Sequence, residues 1–317
     1  MSPILASANR EVSGVINTAC NYEKKKVNVN SIGFEFVQSL SNELSKGTVK
    51  LPSLPDVALK IKNILEDPDV SAKQVAKVVG SEATFSARLL KVANSAALNS
   101  SGTTIKDLPT AITRMGFKMA HSIAVAIAMD QVLNSHSMGK LDKYFKELWR
   151  HSLNVAAFSC VIARKRTKIK PDEALIAGLL HDVGKIYLFA RIDDYPELCE
   201  DQEAFDDVLA EWHTGVGAAI LEAWRFSDEL ITVAEEHEML DRVPTNAQGG
   251  TSFEADLTDV VQVANLFSHA IEQGGEIPPE WAEIKSFGRL KLDEELIHEI
   301  MVQSKEEIDS IVSALQG

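Results

Sequence analysis

The chain has 317 residues, 45% hydrophobic, 25% charged and only 6% aromatic, a balance that suits an ordinary globular protein and favours helices over a β-sandwich. Its 32 Lys and Arg against 46 Asp and Glu leave a net charge of −14. Such a surface repels phosphate backbones, so DNA is excluded as a general partner. No run approaches the roughly 18 uninterrupted apolar residues of a membrane helix, so no membrane partner is expected. Met1-Ser2-Pro3-Ile4-Leu5 lacks the basic and apolar regions of a signal peptide. Cys20, Cys160 and Cys199 are widely spaced and form no metal or redox pattern, which points to the cytoplasm.

Residues 1–30 read as an arm, small and polar, then basic at Lys24-Lys25-Lys26, with a weak helical signal around Glu11–Ala19. From Ser31 the spacing of Phe34, Val37, Leu40 and Leu44 predicts a helix that stops at Gly47. Leu51-Pro52-Ser53-Leu54-Pro55 is expected to be extended, because proline disfavours helix before itself. Val57, Leu59, Ile61, Ile64 and Leu65 mark a further helix that ends near Pro68. Ser71-Ala72-Lys73-Gln74 has the form of a capping box and opens a short helix up to Gly80. Phe85, Leu89, Leu90, Val92 and Ala93 supply the next apolar face. Leu108–Met115 and Phe117–Leu133 read as two helices about a turn at Gly116. Short helices joined at glycine also suit a DNA-reading helix-turn-helix, but Lys118–Val125 carries one basic residue and is largely apolar, so it reads as a packing helix.

Ser135–Lys140 is a junction. Beyond it, helices are predicted at 142–166, 172–189, 203–211, 213–224, 227–238, 257–272 and 293–315, with loops at Val243–Asp256 and Gly274–Pro279. Asp193–Glu211 holds nine carboxylates and no Lys or Arg, and Arg164, Lys165, Arg166, Lys168 and Lys170 form a basic counterweight. Both runs read as solvated surface. No alternating run is long enough for a sheet and no fixed-period repeat is present. The expected fold is all-α, with an arm at 1–30, a smaller helical lobe at 31–137 and a larger lobe at 138–317 that carries the C-terminal helix.

The larger lobe holds His151, His181-Asp182, His213 and His237, each on a different predicted helix. Imidazole nitrogens and carboxylate oxygens are natural ligands for a divalent metal, and converging helices can bring them together. His181 and Asp182 follow the apolar run Ala174–Leu180, and unpaired buried charge is costly, so a partner is expected for them. Adjacent residues leave a helix roughly 100° apart, and Lys185, four residues after His181, shares its face. Ligand type by itself leaves a metal centre and a purely structural histidine network both open. His121, His136, His269 and His298 are assigned to surface or hydrogen-bonded core roles.

At these residues the chain resembles the HDOD family, the HD-related output domains of bacterial signalling proteins. The resemblance runs over roughly residues 48–275. It rests on Leu51–Pro55, on Ser86-Ala87-Arg88-Leu89-Leu90-Lys91-Val92-Ala93-Asn94-Ser95-Ala96, on Ala111-Ile112 with Met115-Gly116, and on Gly178–Lys185. It implies an HD-like helical bundle preceded by a smaller helical lobe. The wider HD superfamily includes metal-dependent phosphohydrolases. Carried over to this chain, their metal ligands are His151, His181, Asp182, His213 and His237, with a final Asp expected within Val263–Phe267. Asn265 stands there instead, a neutral amide in place of a charged ligand. Asp259 lies six residues back, roughly 240° round the helix, and does not replace it. Glu238 follows His237 where two-metal relatives tend to carry a second histidine. No Gly-Tyr-Pro segment follows the His-Asp motif, so the cyclic-di-GMP phosphodiesterase signature is incomplete.

The resemblance and the missing Asp point to a regulatory signal-transduction protein that acts in trans, through a signalling protein partner or a nucleotide, without turnover. The alternative is a phosphohydrolase or phosphodiesterase with a mono- or dinuclear centre of Fe, Mn, Zn or Mg, for which cyclic dinucleotides are also candidate ligands. There the metal would lower the pKa of a bound water, and Asp182 and Lys185 would be catalytic, with Lys185 stabilising charge on the phosphoryl oxygens. A third reading has the histidines only pack.

Overall fold

The computed structural model describes residues 69–81, 83–95, 102–135, 142–191, 202–244, 252–275 and 277–316, with isolated positions before and between them. Its helices are Ala72–Val79 (α1), Ala83–Ala93 (α2), Leu108–Met115 (α3), Phe117–Ser135 (α4), Asp142–Arg166 (α5), Pro171–Leu180 (α6) and Val183–Ala190 (α7). They continue with Gln202–Ala223 (α8), Asp228–Glu236 (α9), Leu257–Glu272 (α10), Lys285–Arg289 (α11), Glu294–His298 (α12) and Lys305–Leu315 (α13). No strand occurs among the described residues, and the protein is all-α. No described helix is long and apolar enough to cross a membrane. The expected arm at 1–30, the helix from Ser31, the Leu51–Pro55 linker and the Val57–Leu65 helix lie outside the described residues. The exceptions are isolated positions such as Phe36 and Ile61, both buried.

Local chemistry sets several boundaries. At α1 the Gln74 amide donates to Ser71 Oγ (3.4 Å) and the Ser71 amide donates to Gln74 Oε1 (2.8 Å), which completes the capping box. Asp107 caps α3 by accepting from the Thr110 amide at 2.9 Å. Gly116 separates α3 from α4 with φ of 84°, a left-handed conformation that glycine adopts without a Cβ penalty. Other boundaries differ from expectation. The predicted helix 172–189 is two helices, broken at His181-Asp182. The predicted pair 203–211 and 213–224 is the single helix α8, because nothing at Trp212 interrupts the backbone ladder. The helix expected over 293–315 is interrupted by a π-helical turn at Glu299–Gln303. A 3-10 turn, Pro279–Glu283, and α11 bury Trp281 and Phe287 where no element was predicted.

The chain divides into two units, each built from three stretches. The first comprises Met1–Pro52, Ser137–Trp149 and Leu180–Glu238, and the second comprises Ser53–His136, Arg150–Leu179 and Met239–Gly317. In the first, α8 packs against both α7 and α9. Phe189 stacks on Tyr144 and meets Phe205 edge-on at 4.7 Å between centroids. The α7 backbone lies against α8 at Gly184, where an added Cβ would fall 2.0 Å from the His213 carbonyl oxygen. Glycine is therefore required for this contact, and it seats the start of α7 beside His213.

In the second unit α1, α2, α3 and α4 pack together, and α13 packs on α2 and α4. Residues 122–130 of α4 are buried on every side, as suits a packing helix and not one that reads bases. Arg88 pairs with Asp130 at 2.6 Å in the interior and donates to the Leu315 carbonyl. The start of the basic run is exposed at Arg164 and Lys165, as expected of a solvated surface, and it also meets the C-terminal helices. Arg164 pairs with Glu307, Lys165 with Glu299, and Arg166 donates to the carbonyls of Leu290 and Lys291.

Candidate metal centre

In the first unit His181 and Asp182 occupy the turn before α7, His213 projects from the middle of α8, and His237 caps the C-terminus of α9. All four side chains are buried. The break at Asp182, with φ −103° and ψ 19°, replaces the continuous helix face on which Lys185 was expected to align with His181. Lys185 lies in the first turn of α7, and its Nζ contacts Asp182 Oδ2 at 2.9 Å. His181 Nε2 is 3.3 Å from the same oxygen.

The tautomers of two histidines follow from their backbone contacts. His213 Nδ1 is 2.6 Å from the Leu209 carbonyl oxygen, and His237 Nδ1 is 3.2 Å and 3.1 Å from those of Val233 and Ala234. A carbonyl oxygen only accepts, so each Nδ1 carries a hydrogen and donates. In the neutral imidazole each Nε2 then presents a lone pair. These two Nε2 atoms are buried and lie 3.6 Å and 3.4 Å from Asp182 Oδ1. His213 Nε2 also lies 3.1 Å from Glu238 Oε1. Lone pairs that converge in a buried site repel unless a cation, a proton or a metal ion, lies among them. Asp182, His213 and His237 each offer one ligand atom, all within 4.8 Å of one another. The backbone carbonyls orient both rings as outer-shell partners orient metal-bound histidines. The residues therefore fit a divalent metal.

Electrostatics favours an ionised pair of carboxyls here. Burial pushes Asp182 up, but His181, Lys185 and His237 outweigh it and hold its carboxyl well below the usual range. Burial likewise raises Glu238, yet the His213 contact, when a proton occupies its Nε2, and the Lys185 charge bring it down to about 2.

The six expected ligands are divided between the units. His181, Asp182, His213 and His237 belong to the first, and His151 and Asn265 to the second. His151, from α5, meets the end of α10. Its Nδ1 is 3.2 Å from Glu272 Oε1 and 3.2 Å from Ser268 Oγ, and its ring stacks on His269 at 4.6 Å. His269 Nδ1 is 3.4 Å from Glu272 Oε2. Burial raises the Glu272 carboxyl, but hydrogen bonds and charge from His151 and His269 hold it well below its ordinary range. Asn265 lies one turn before His269, buried, with Oδ1 making no hydrogen bond among the described residues. Asp259 is fully buried and committed to Arg289 and Arg242, so it is a structural carboxylate.

Sequence reasoning did not single out Glu272 and set His269 aside. The spacing of Asn265, Ser268, His269 and Glu272 on one face of α10 was a readable signal. Their approach to His151, more than a hundred residues away, was not. His298 is exposed and His121 half-buried, while His136 lies outside the described residues.

A buried His-Asp pair at the head of a helix, with further buried histidines on the helices that follow, places the protein in the HD class of helical folds. Within that class the HDOD domain model matches residues 51–240, and the chain belongs to the HDOD family. Asn265 and α10 lie beyond the matched span. In structure the chain is similar to the "putative metal-dependent phosphohydrolase" of Shewanella amazonensis SB2B, at 26% identity and a TM-score of 0.72 over 90% of this chain and 99% of that one. An HDOD domain protein of unknown function from Geobacter sulfurreducens shares the fold at 24% identity, with a TM-score of 0.60 over 89% of this chain and 98% of that one. An uncharacterized protein of Treponema pallidum (strain Nichols) is 25% identical over 265 residues, 78% of this chain. This chain spans about half, 47%, of that relative's length.

Proposed function

We propose that this protein is a signal-transduction module whose HD-derived centre binds a divalent metal and a partner or nucleotide without turning it over. The observation that carries the metal is the convergence of His213 Nε2, His237 Nε2 and Asp182 Oδ1, with both imidazole hydrogens directed at backbone carbonyls. When bound, such a metal supplies positive charge that neutralises Asp182 and can receive an anionic ligand oxygen. Two features support binding without turnover. Lys185 is engaged with Asp182 at 2.9 Å, which draws its charge away from a phosphoryl group. Asn265 supplies no charge where the HD enzymes carry their final Asp. Membership of a family of signalling output domains supports the regulatory role.

One contact favours the alternative of a phosphohydrolase. Glu238 lies 3.1 Å from His213 Nε2 and adds a second carboxylate beside Asp182. The test is a screen of the full chain for phosphodiesterase and nucleotidase activity with added Mn, Fe, Zn or Mg, wild type against Asp182→Ala. Equal background rates in both, with metal bound by the wild type and weakened in the variant, are expected. Metal-dependent turnover that Asp182→Ala abolishes would replace this reading with the hydrolase.

A further inference from the structure

We propose that His151, His269 and Glu272 form a metal site of their own in the second unit, suited to zinc or a neighbouring divalent transition ion. Donor type, spacing and scaffold all favour a metal here. Two imidazoles and one carboxylate are a known zinc ligand set, completed by water in the fourth position. Metal–ligand bonds of about 2.0–2.1 Å in a tetrahedral site place neighbouring donor atoms about 3.3 Å apart. Glu272 meets that spacing twice, with Oε1 at 3.2 Å from His151 Nδ1 and Oε2 at 3.4 Å from His269 Nδ1. The three donor atoms lie within 4.8 Å of one another.

The scaffold supplies the rigidity such a site needs. His269 and Glu272 are three residues apart in the last turn of α10, so one helix face presents both. His151 is in the interior of the long helix α5, and its ring stacks on His269, which fixes both planes. Ser268 Oγ lies 3.2 Å from His151 Nδ1 and 3.3 Å from Glu272 Oε1, at the side of both groups. His269 Nδ1 is buried and faces Glu272 Oε2. Glu272 reaches the surface, with 27% of its side chain exposed, so ions have an entry path and water can complete the coordination. No Lys or Arg pairs with Glu272 among the described residues, whereas Lys185 competes for the carboxylate in the Asp182 centre. A histidine–carboxylate network held by protons alone is the competing account.

Zinc titration of the full chain decides between them. Protein stripped with chelator is loaded with Zn²⁺, desalted and measured for bound metal, with calorimetric titration for affinity. Glu272→Gln, close to isosteric and at the surface, and His269→Ala should each lose one equivalent relative to wild type. His213→Ala should keep it. The His213→Ala protein loaded with Co²⁺ should show visible ligand-field bands that Glu272→Gln removes in the double variant. Circular dichroism confirms that each variant is folded. Zinc loading unchanged by Glu272→Gln and His269→Ala, or no bound zinc in wild type, overturns the proposal. Because the Asp182 centre is read separately through His213→Ala, failure of that centre leaves a single equivalent that still depends on Glu272.

Discussion

Gly184 is the sharpest point at which sequence, packing and site meet, and Gly184→Ala tests all three. A Cβ there would lie 2.0 Å from the His213 carbonyl oxygen, 2.7 Å from the Gly217 amide nitrogen and 2.9 Å from the His213 carbonyl carbon. Real Cβ atoms essentially never come within 3.0 Å of such atoms, so α7 and α8 must separate by 1 Å or more at that point. The obstructing atoms are helix backbone and cannot swing aside as a side chain would. Overpacking of a core contact costs about 1–3 kcal/mol, and this one belongs near the top, at about 3 kcal/mol. For a large domain that corresponds to a melting temperature about 6–12 °C lower. The displaced carbonyl belongs to His213, so metal affinity at the Asp182 centre should fall as well. Gly217→Ala is the control across the same contact. The nearest atoms to its Cβ are the Gly184 nitrogen at 3.4 Å and two side-chain carbons at 3.6 Å, ordinary contact distances. Alanine is the better helix former by roughly 0.5–1 kcal/mol, so this variant should melt at or slightly above wild type. Thermal unfolding by circular dichroism, with and without Zn²⁺, measures both. A Gly184→Ala protein within about 1 kcal/mol of wild type, or a Gly217→Ala protein equally damaged, would refute the backbone-contact argument.

Two further predictions concern the second unit. Arg88→Ala leaves Asp130 buried without its partner and should cost about 3–5 kcal/mol, whereas Arg88→Met with Asp130→Leu should recover much of the loss, as urea unfolding will report. Glu272 is held below its ordinary pKa by His151 and His269, so its carboxylate adds stability above the unfolded value of about 4.3 that is lost as pH falls through the folded value. With chelator present, wild type should therefore melt above Glu272→Gln at mildly acidic pH, and the gap should close on further acidification. A gap independent of pH would rule out the ionised carboxylate as its source.

Much of the fold was legible because its signals are local. The capping box at Ser71–Gln74, the turn at Gly116 and the limits of α5 and α10 follow from residues within one helical turn of each boundary. The errors share one cause. His181-Asp182 breaks a segment whose hydrophobicity is continuous, and no breaker residue announces it. Arg164 and Lys165 are exposed as composition suggests, but their pairing with groups more than a hundred residues away, like that of Arg166, has no local signal. His269, read singly, is an unremarkable helix histidine.

By itself the sequence determined the all-α class, the family and the chemical types of the candidate ligands, because helix periodicity, caps and motif residues are properties of short stretches of chain. Only the tertiary structure decided how those ligands are grouped. It brought His213 and His237 onto Asp182 with their Nδ1 hydrogens turned to backbone carbonyls, engaged Lys185 with Asp182, and drew His151 to His269 and Glu272. The reason is geometric. Which lone pairs face one another depends on helix contacts such as that of Gly184 with α8, which bring distant residues within a few ångströms and have no counterpart in local spacing.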